Sequence, residues 1–349
     1  MRGPVDVVAV GARTPVGLTA ESAAAAVRAG VSRYAEFPFV DARGEPVVVA
    51  ADPRLDPTLE GRRRLVPMIL SVVGEVREKL ARGYARDRGF RLLLALPEAR
   101  PGFTERDAAW VVDHIRDAVQ PDGAEARVEL AGRGHAGAIR AIQKAAEHCA
   151  EFSSELAVVV GADSYMHGDT FAWLEGHRRF AQPGVRGGFA PGEGAGALAL
   201  AGPALRERLL LPRLASVRGV GVALEMQLRD SDVGSFGVGM TQAVEAAIAG
   251  LDLPREAVDV LYADINGERY RSEEWGFVAL RTPLAWKSYV YEAPGDCWGD
   301  VGAAFGALAA VLAVQSYARR YQRGPRSLVI AGSDGGLRAA MLLQDPQLA

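Results

Sequence analysis

The sequence predicts an α/β fold built from two similar halves, and three observations carry that expectation. Apolar, strand-like runs alternate with amphipathic helical runs, each half holds one long helix of small residues, and 49% of the 349 residues are hydrophobic, enough for a large buried core. The β-then-α order calls for a mostly parallel sheet covered by helices. Small-residue helices suit burial between layers, because alanine and glycine let backbones approach closely.

Val5 to Val10 is a largely apolar run ending in Gly11, and Thr19 can cap a helix over Ala20 to Arg28. Leu65 to Arg82 has helical periodicity, with Pro67 tolerable in the first turn. Arg91 to Leu96 reads as a buried strand, Glu105 to Val119 as a helix, Ala126 to Leu130 as a strand, Ala136 to Ala150 as a helix and Leu156 to Val160 as a strand. The pattern restarts after Pro203. Leu214 to Val222 is strand-like, Met240 to Leu251 helical, Val258 to Ile265 a strand, Asp300 to Tyr317 a long alanine-rich helix, and Ser327 to Ala331 a strand closing on Gly332. The expected halves are therefore 1–205 and 206–349.

Charge and composition exclude several function classes. A formal charge of -3 and a pI near 6.0 give no general attraction to phosphate backbones or anionic membrane, so nucleic acid is not an expected partner. Cys149 and Cys297 lie far apart with no C-x-x-C, and the five histidines lack metal-ligand spacing, so neither a metal site nor a disulfide is expected. Met1 to Pro4 leads into an apolar run too short for a signal peptide, and no stretch reaches the roughly 18 apolar residues that span a bilayer. A cytoplasmic protein without a membrane segment is expected. Gly11 and Gly17 miss the dinucleotide-binding spacing, as does Gly192 to Gly196, which also lacks a lysine; no cofactor is expected. Gly192 to Gly196 reads instead as a tight turn, with Glu193 satisfying buried backbone donors.

Four segments carry a family signal. Val8 to Ser22 reads V-A-V-G-A-R-T-P-V-G-L-T-A-E-S, Gly188 to Gly196 reads G-F-A-P-G-E-G-A-G, Val258 to Gly267 reads V-D-V-L-Y-A-D-I-N-G, and Gly299 to Gly306 reads G-D-V-G-A-A-F-G. In this order they resemble the β-ketoacyl-ACP synthases of the thiolase superfamily, and the second segment is the most specific match. The resemblance spans nearly the whole chain. It implies a thiolase-like fold, with duplicated βαβαβαββ halves packed in α-β-α-β-α layers.

The family's chemistry needs a cysteine at a strand-to-helix elbow and two histidines that support decarboxylation and stabilise an oxyanion. The elbow here falls at Gly132 to Ala136. Matching Ile139, Ile142 and Ala145 to the family's helix puts His135 at the nucleophile, and a shifted register puts Gly132 there. The first histidine position corresponds to Asn266, which hydrogen-bonds but cannot titrate. The second corresponds to Gly299, or to Asp300 if the loop slips by one; an aspartate there would oppose an oxyanion. Lys287-Ser288 resembles the family's upstream lysine, with more residues intervening than its pattern allows. Ser333 to Arg338 stands at the glycine-rich gate without its aromatic. Cys297 lies two residues before the second histidine position and is a reserve nucleophile, or a small buried hydrophobe.

Two readings follow from the resemblance. One is a catalytically degenerate ketosynthase-like protein used as a binding or adaptor scaffold, with an active ketosynthase, an acyl carrier protein or a type VI secretion effector as partner. The other is an acyltransferase acting on acyl-ACP or acyl-CoA thioesters, with His135, Asn266 and Asp300 lining its site. The family also implies a homodimer formed by edge strands of the N-terminal half. A helix dipole at His135 would keep its imidazole neutral. Arg62-Arg63-Arg64 reads as a solvated helix start. Trp173, Trp275, Trp286 and Trp298 fall in loop-like segments, where large aromatics act as core, pocket walls or contact anchors.

Overall fold

Eight of the nine residues of Val5–Arg13 (β1) are buried, which places this strand in mid-sheet with both faces covered, where packing demands a near-continuous apolar run. The computed structural model describes residues 5–80, 90–119, 127–151, 155–182 and 184–348. Arg82 and Ala126, the expected end of one helix and start of one strand, lie outside them.

After β1 come α1 (Ala20–Arg28), the hairpin β2 (Ala35–Val40) and β3 (Pro46–Val49), α2 (Arg62–Leu80), β4 (Arg91–Leu96), α3 (Glu105–Val119) and β5 (Arg127–Arg133). Next are α4 (Gly137–Glu151), β6 (Ala157–Ser164), α5 (Gly168–Gly176), β7 (Glu193–Ala201) and α6 (Pro203–Arg208). Then follow β8 (Ala215–Leu224), α7 (Val238–Ile248), β9 (Val260–Ala263), α8 (Arg269–Arg281), β10 (Tyr291–Glu292) and α9 (Gly295–Trp298). The last elements are α10 (Phe305–Ala318), β11 (Arg326–Gly332) and β12 (Leu337–Gln344).

Ten strands share one sheet in the order β10-β9-β11-β12-β8-β1-β7-β6-β4-β5. Counted within each run of five, that order is the same on both sides, third-second-fourth-fifth-first, and the two first strands meet where Val5 to Val7 pairs with Ala215 to Val217. The duplication is thus a property of the topology. The sheet is mixed rather than mostly parallel, with five of nine pairings antiparallel, because the last strand of each run, β7 or β12, runs against both neighbours. Alternation of helix and strand says nothing about such a returning strand.

Side chains alternate between layers. Leu93 and Ala95 of β4 face a central core with α4 and α10, whereas Leu92, Leu94 and Leu96 face α2 and α3. In the other half Tyr262 and Val329 face the centre, and Leu261 and Leu328 face α7. Thirteen of the fourteen residues of α10 are buried, so this helix is apolar all round and can lie close to strands only through small residues. A Cβ at Gly196 would stand 2.8 Å from Leu308 N, and one at Gly161 would stand 2.5 Å from Ala303 O. The first of these contacts explains Gly196; Gly194 and Gly192 instead face Arg13 O and Trp298 O, at 2.9 and 2.2 Å, and from Glu193 onward the G-E-G-A-G run is strand and not a tight turn.

Two other sequence expectations are corrected, and one holds. The helix expected from Asp300 begins at Phe305, because Asp300 is extended, accepts Gly302 N on its carboxylate at 2.8 Å, and leads through a single 3-10 turn. The core reading of the tryptophans holds for three of them: Trp275 and Trp286 pack edge to face at 4.8 Å in the outer core of the second half, and Trp298 is 1% exposed. Arg64 is not solvated: it is 1% exposed and makes a bidentate pair with Glu193 at 2.7 and 2.6 Å. Among the described residues no helix is long and apolar enough to cross a membrane.

Candidate functional site

β5 gives way to α4 through Gly134, whose φ of 64° is the left-handed turn that glycine adopts freely. Its N–H is held by Leu96 O at 3.0 Å, and Gly137 N returns to Gly134 O at 2.9 Å. The turn places the His135 side chain, in a residue 5% exposed, between the two halves. Gly132 is still in β5, where a Cβ would stand 2.1 Å from Gly137 O; it presents no group to the site.

Asp300 meets His135 there. Its carboxylate lies 2.9 and 3.1 Å from His135 Nε2 and also accepts Gly302 N at 2.8 Å, Tyr165 OH at 3.2 Å and the Asn266 side-chain amide. Asn266 makes its second donation to Glu268 at 3.3 Å. Gly299 supplies only backbone, with φ 72° and no room for a side chain against Ala190 O. The structure therefore brings His135, Asn266 and Asp300 together. A void of 10 Å³ among them has room for about one water.

Around this trio runs a set of ion pairs that the sequence did not reveal. Arg271 of α8 pairs with Asp264, donates to Gly332 O at 2.9 Å and lies 3.4 Å from both Glu268 Oε2 and His135 Nε2. Arg179 makes bidentate contacts with Glu268, at 2.7 and 3.0 Å, and with Asp334, at 2.6 and 3.2 Å. The loop at the expected aromatic gate is stapled shut in turn. Ser333 Oγ accepts Ala136 N at 3.0 Å, and Glu98 accepts Asp334 N and Gly335 N, each at 3.0 Å.

Buried charges gather around His135: Arg271 pairs with Asp264, Arg179 with Glu268 and Asp334, and Arg229 also reaches Glu268, at 3.2 Å, while His135 faces Asp300. Burial opposes charge on His135, yet the Asp300 carboxylate outweighs it and holds the imidazole pKa above its ordinary value, against opposition from Arg271. Burial likewise opposes charge on Asp300, and His135, Arg271 and the Asn266 hydrogen bond together hold it well below the usual carboxylate range. The downward shift of the imidazole pKa expected from a helix dipole is thus corrected. A full carboxylate at hydrogen-bond distance outweighs partial charges on backbone N–H groups.

Cys297 is elsewhere. It lies on α9, lining a hollow that has no histidine in its wall, and burial followed by the charge of Asp296 pushes its thiol pKa up. Lys287 pairs with Asp259 on the protein surface. Arg271 and Arg179 escaped the sequence reading because their partners lie on other elements. The only local sign was the E-R-Y-R run after Asn266-Gly267, which resembles any charged helix start. Among the described residues no cluster of three or more histidine, cysteine or acidic side chains could hold a metal ion.

The repeated strand order, with its elbow between the halves, is the fold of solved ketosynthases. The ishigamide ketosynthase/chain length factor superposes with a TM-score of 0.78 at 15% identity, covering 99% of both chains. A ketosynthase in complex with its chain length factor from Xenorhabdus doucetiae gives 0.73 at 13% identity over 98% of each chain. A type II polyketide acyl-carrier protein in complex with its ketosynthase gives 0.75 at 12% identity, over 97% of this chain and 98% of that one. No family model matches the sequence, and a search of curated proteins found no match.

Proposed function

We propose that this protein is a non-condensing, ketosynthase-like cytoplasmic subunit that acts by binding a protein partner. The observation that carries the proposal is the mutual engagement of His135, Asp300 and Asn266. Condensation needs a thiolate that attacks and a base that accepts a proton. An imidazolium committed to Asp300 does neither, and the Asp300 carboxylate would repel the negative charge that builds on a thioester oxygen.

The kinds of assembly described for the similar structures support the choice of partner. They include a ketosynthase with a chain length factor and a ketosynthase with a carrier protein, so an active ketosynthase or an acyl carrier protein is favoured over a secretion effector. β5 is the terminal strand of the sheet beside the His135 turn, and its unpaired edge is the surface through which this chain pairs with a second copy or with an active ketosynthase.

Incubation with acyl-CoA and acyl-ACP thioesters, followed by intact-mass measurement, tests the proposal. No acyl adduct and no thioester loss above the uncatalysed rate is expected. A stable adduct, or turnover abolished in His135→Ala, would establish the acyltransferase reading instead.

A further inference from the structure

Two hollows join into one groove along α1 and the end of α10; Asp296 and Cys297 of α9 line it, next to Gly295, which lines the His135 site. The first has a volume of 520 Å³ and the second 820 Å³, and they meet at Ala24, Arg28 and Tyr321. The first alone is the size of a small-molecule site. Its wall is apolar at Val27, Val260 and Leu312 and aromatic at Tyr262, Tyr291 and Tyr321. Such a wall takes a flat or branched hydrocarbon body.

The charges around the groove do not cancel. Glu292 is paired with Arg323 at 2.6 Å and Glu21 with Lys79 at 2.8 Å. Arg28 lies over the Tyr321 ring at 4.3 Å, and among the described residues no carboxylate is within ion-pair distance of it or of Arg319. Against these two guanidiniums the groove has one unpaired carboxylate, Asp296, which lines the first hollow only. Arg28 stands at the junction and Arg319 in the second hollow, so an anionic head belongs there with its body in the first.

We propose that this groove is a binding site for a small amphipathic monoanion, an apolar or aromatic body carrying one carboxylate, sulfonate or phosphate-type head. Arg28 supplies a charge-assisted donor to the head, and Tyr321 holds the guanidinium in place. The site is independent of the partner-binding role and survives its failure.

Fluorescence titration of the full chain with 8-anilino-1-naphthalenesulfonate, and with N-phenyl-1-naphthylamine as the same ring system without the anion, tests it. One sulfonate probe is expected to bind per chain, about tenfold more tightly than the neutral one. Arg28→Gln removes that difference and leaves the neutral probe unchanged; Arg28 is exposed, so the variant keeps the fold. Equal affinity for the two probes, or indifference to Arg28→Gln, would overturn the assignment.

Discussion

Asp300→Asn lowers the unfolding free energy by about 3–5 kcal/mol, the cost of removing one partner from a buried charge pair. Asparagine keeps the shape and can still accept from Gly302 N and Tyr165 OH. It cannot neutralise His135, which is left beside Arg271 Nη2 at 3.4 Å. Adding His135→Gln to Asp300→Asn recovers part of the loss, because the orphaned cation is gone; a double-mutant cycle from urea unfolding measures the coupling. The effect depends on pH with a definite sign. His135 has its folded pKa raised, so its contribution is complete below the ordinary imidazole value of about 6.5 and fades as pH rises through the folded value. Asp300 has its folded pKa lowered, so its contribution is complete above the ordinary carboxylate value of about 4 and fades as pH falls. Between these two ordinary values the advantage of the native pair over Asp300→Asn is greatest.

Arg64→Met is expected to cost a similar amount, about 3–5 kcal/mol, for the same reason at a different place. Glu193 is 0% exposed, and besides Arg64 it accepts Ser164 Oγ and Asp52 N, each at 2.7 Å. Without Arg64 its charge is buried with neutral donors only. Glu193→Gln keeps an acceptor for Asp52 N, and the Ser164 hydroxyl can turn to accept from its amide, so the Arg64→Met/Glu193→Gln double variant should lose less than the sum of the single losses. Denaturant midpoints of the four chains read this directly. Additive losses would mean that the pair does not share its charge.

The amount of this that can be read in the sequence follows from what local pattern encodes. Strand and helix periodicity located β1, β4, α3, α4 and β11 closely, since each buries a regular face. The five-residue overrun of α10 comes from Asp300, whose carboxylate takes Gly302 N; the loss of β7 to a turn has another cause. Glycine and alanine side chains are too small to signal burial, and the reason for them is a neighbouring backbone far along the chain. The elbow motif was legible as a departure from its family, so His135, Asn266 and Asp300 could be named before any coordinates. Their ion partners could not. Arg271, Arg179 and Asp334 converge from α8, from the segment after α5 and from the turn before β12, and an arginine shows nothing in sequence about whether it will be paired in a core or solvated. Arg64 illustrates the point, because Arg62 and Arg63 beside it do stay partly or fully exposed.

The closed, non-condensing site depends on the charge at His135 being spent on Asp300. Selective observation of the His135 imidazole by NMR, titrated across neutral pH in the native chain and in Asp300→Asn, reads that charge at the atom concerned. The imidazolium should persist above the ordinary imidazole value of about 6.5 in the native chain and fall markedly in the variant. A His135 that titrates at or below that value, and is unmoved by Asp300→Asn, would be a free base at the elbow and would contradict the closed site described above.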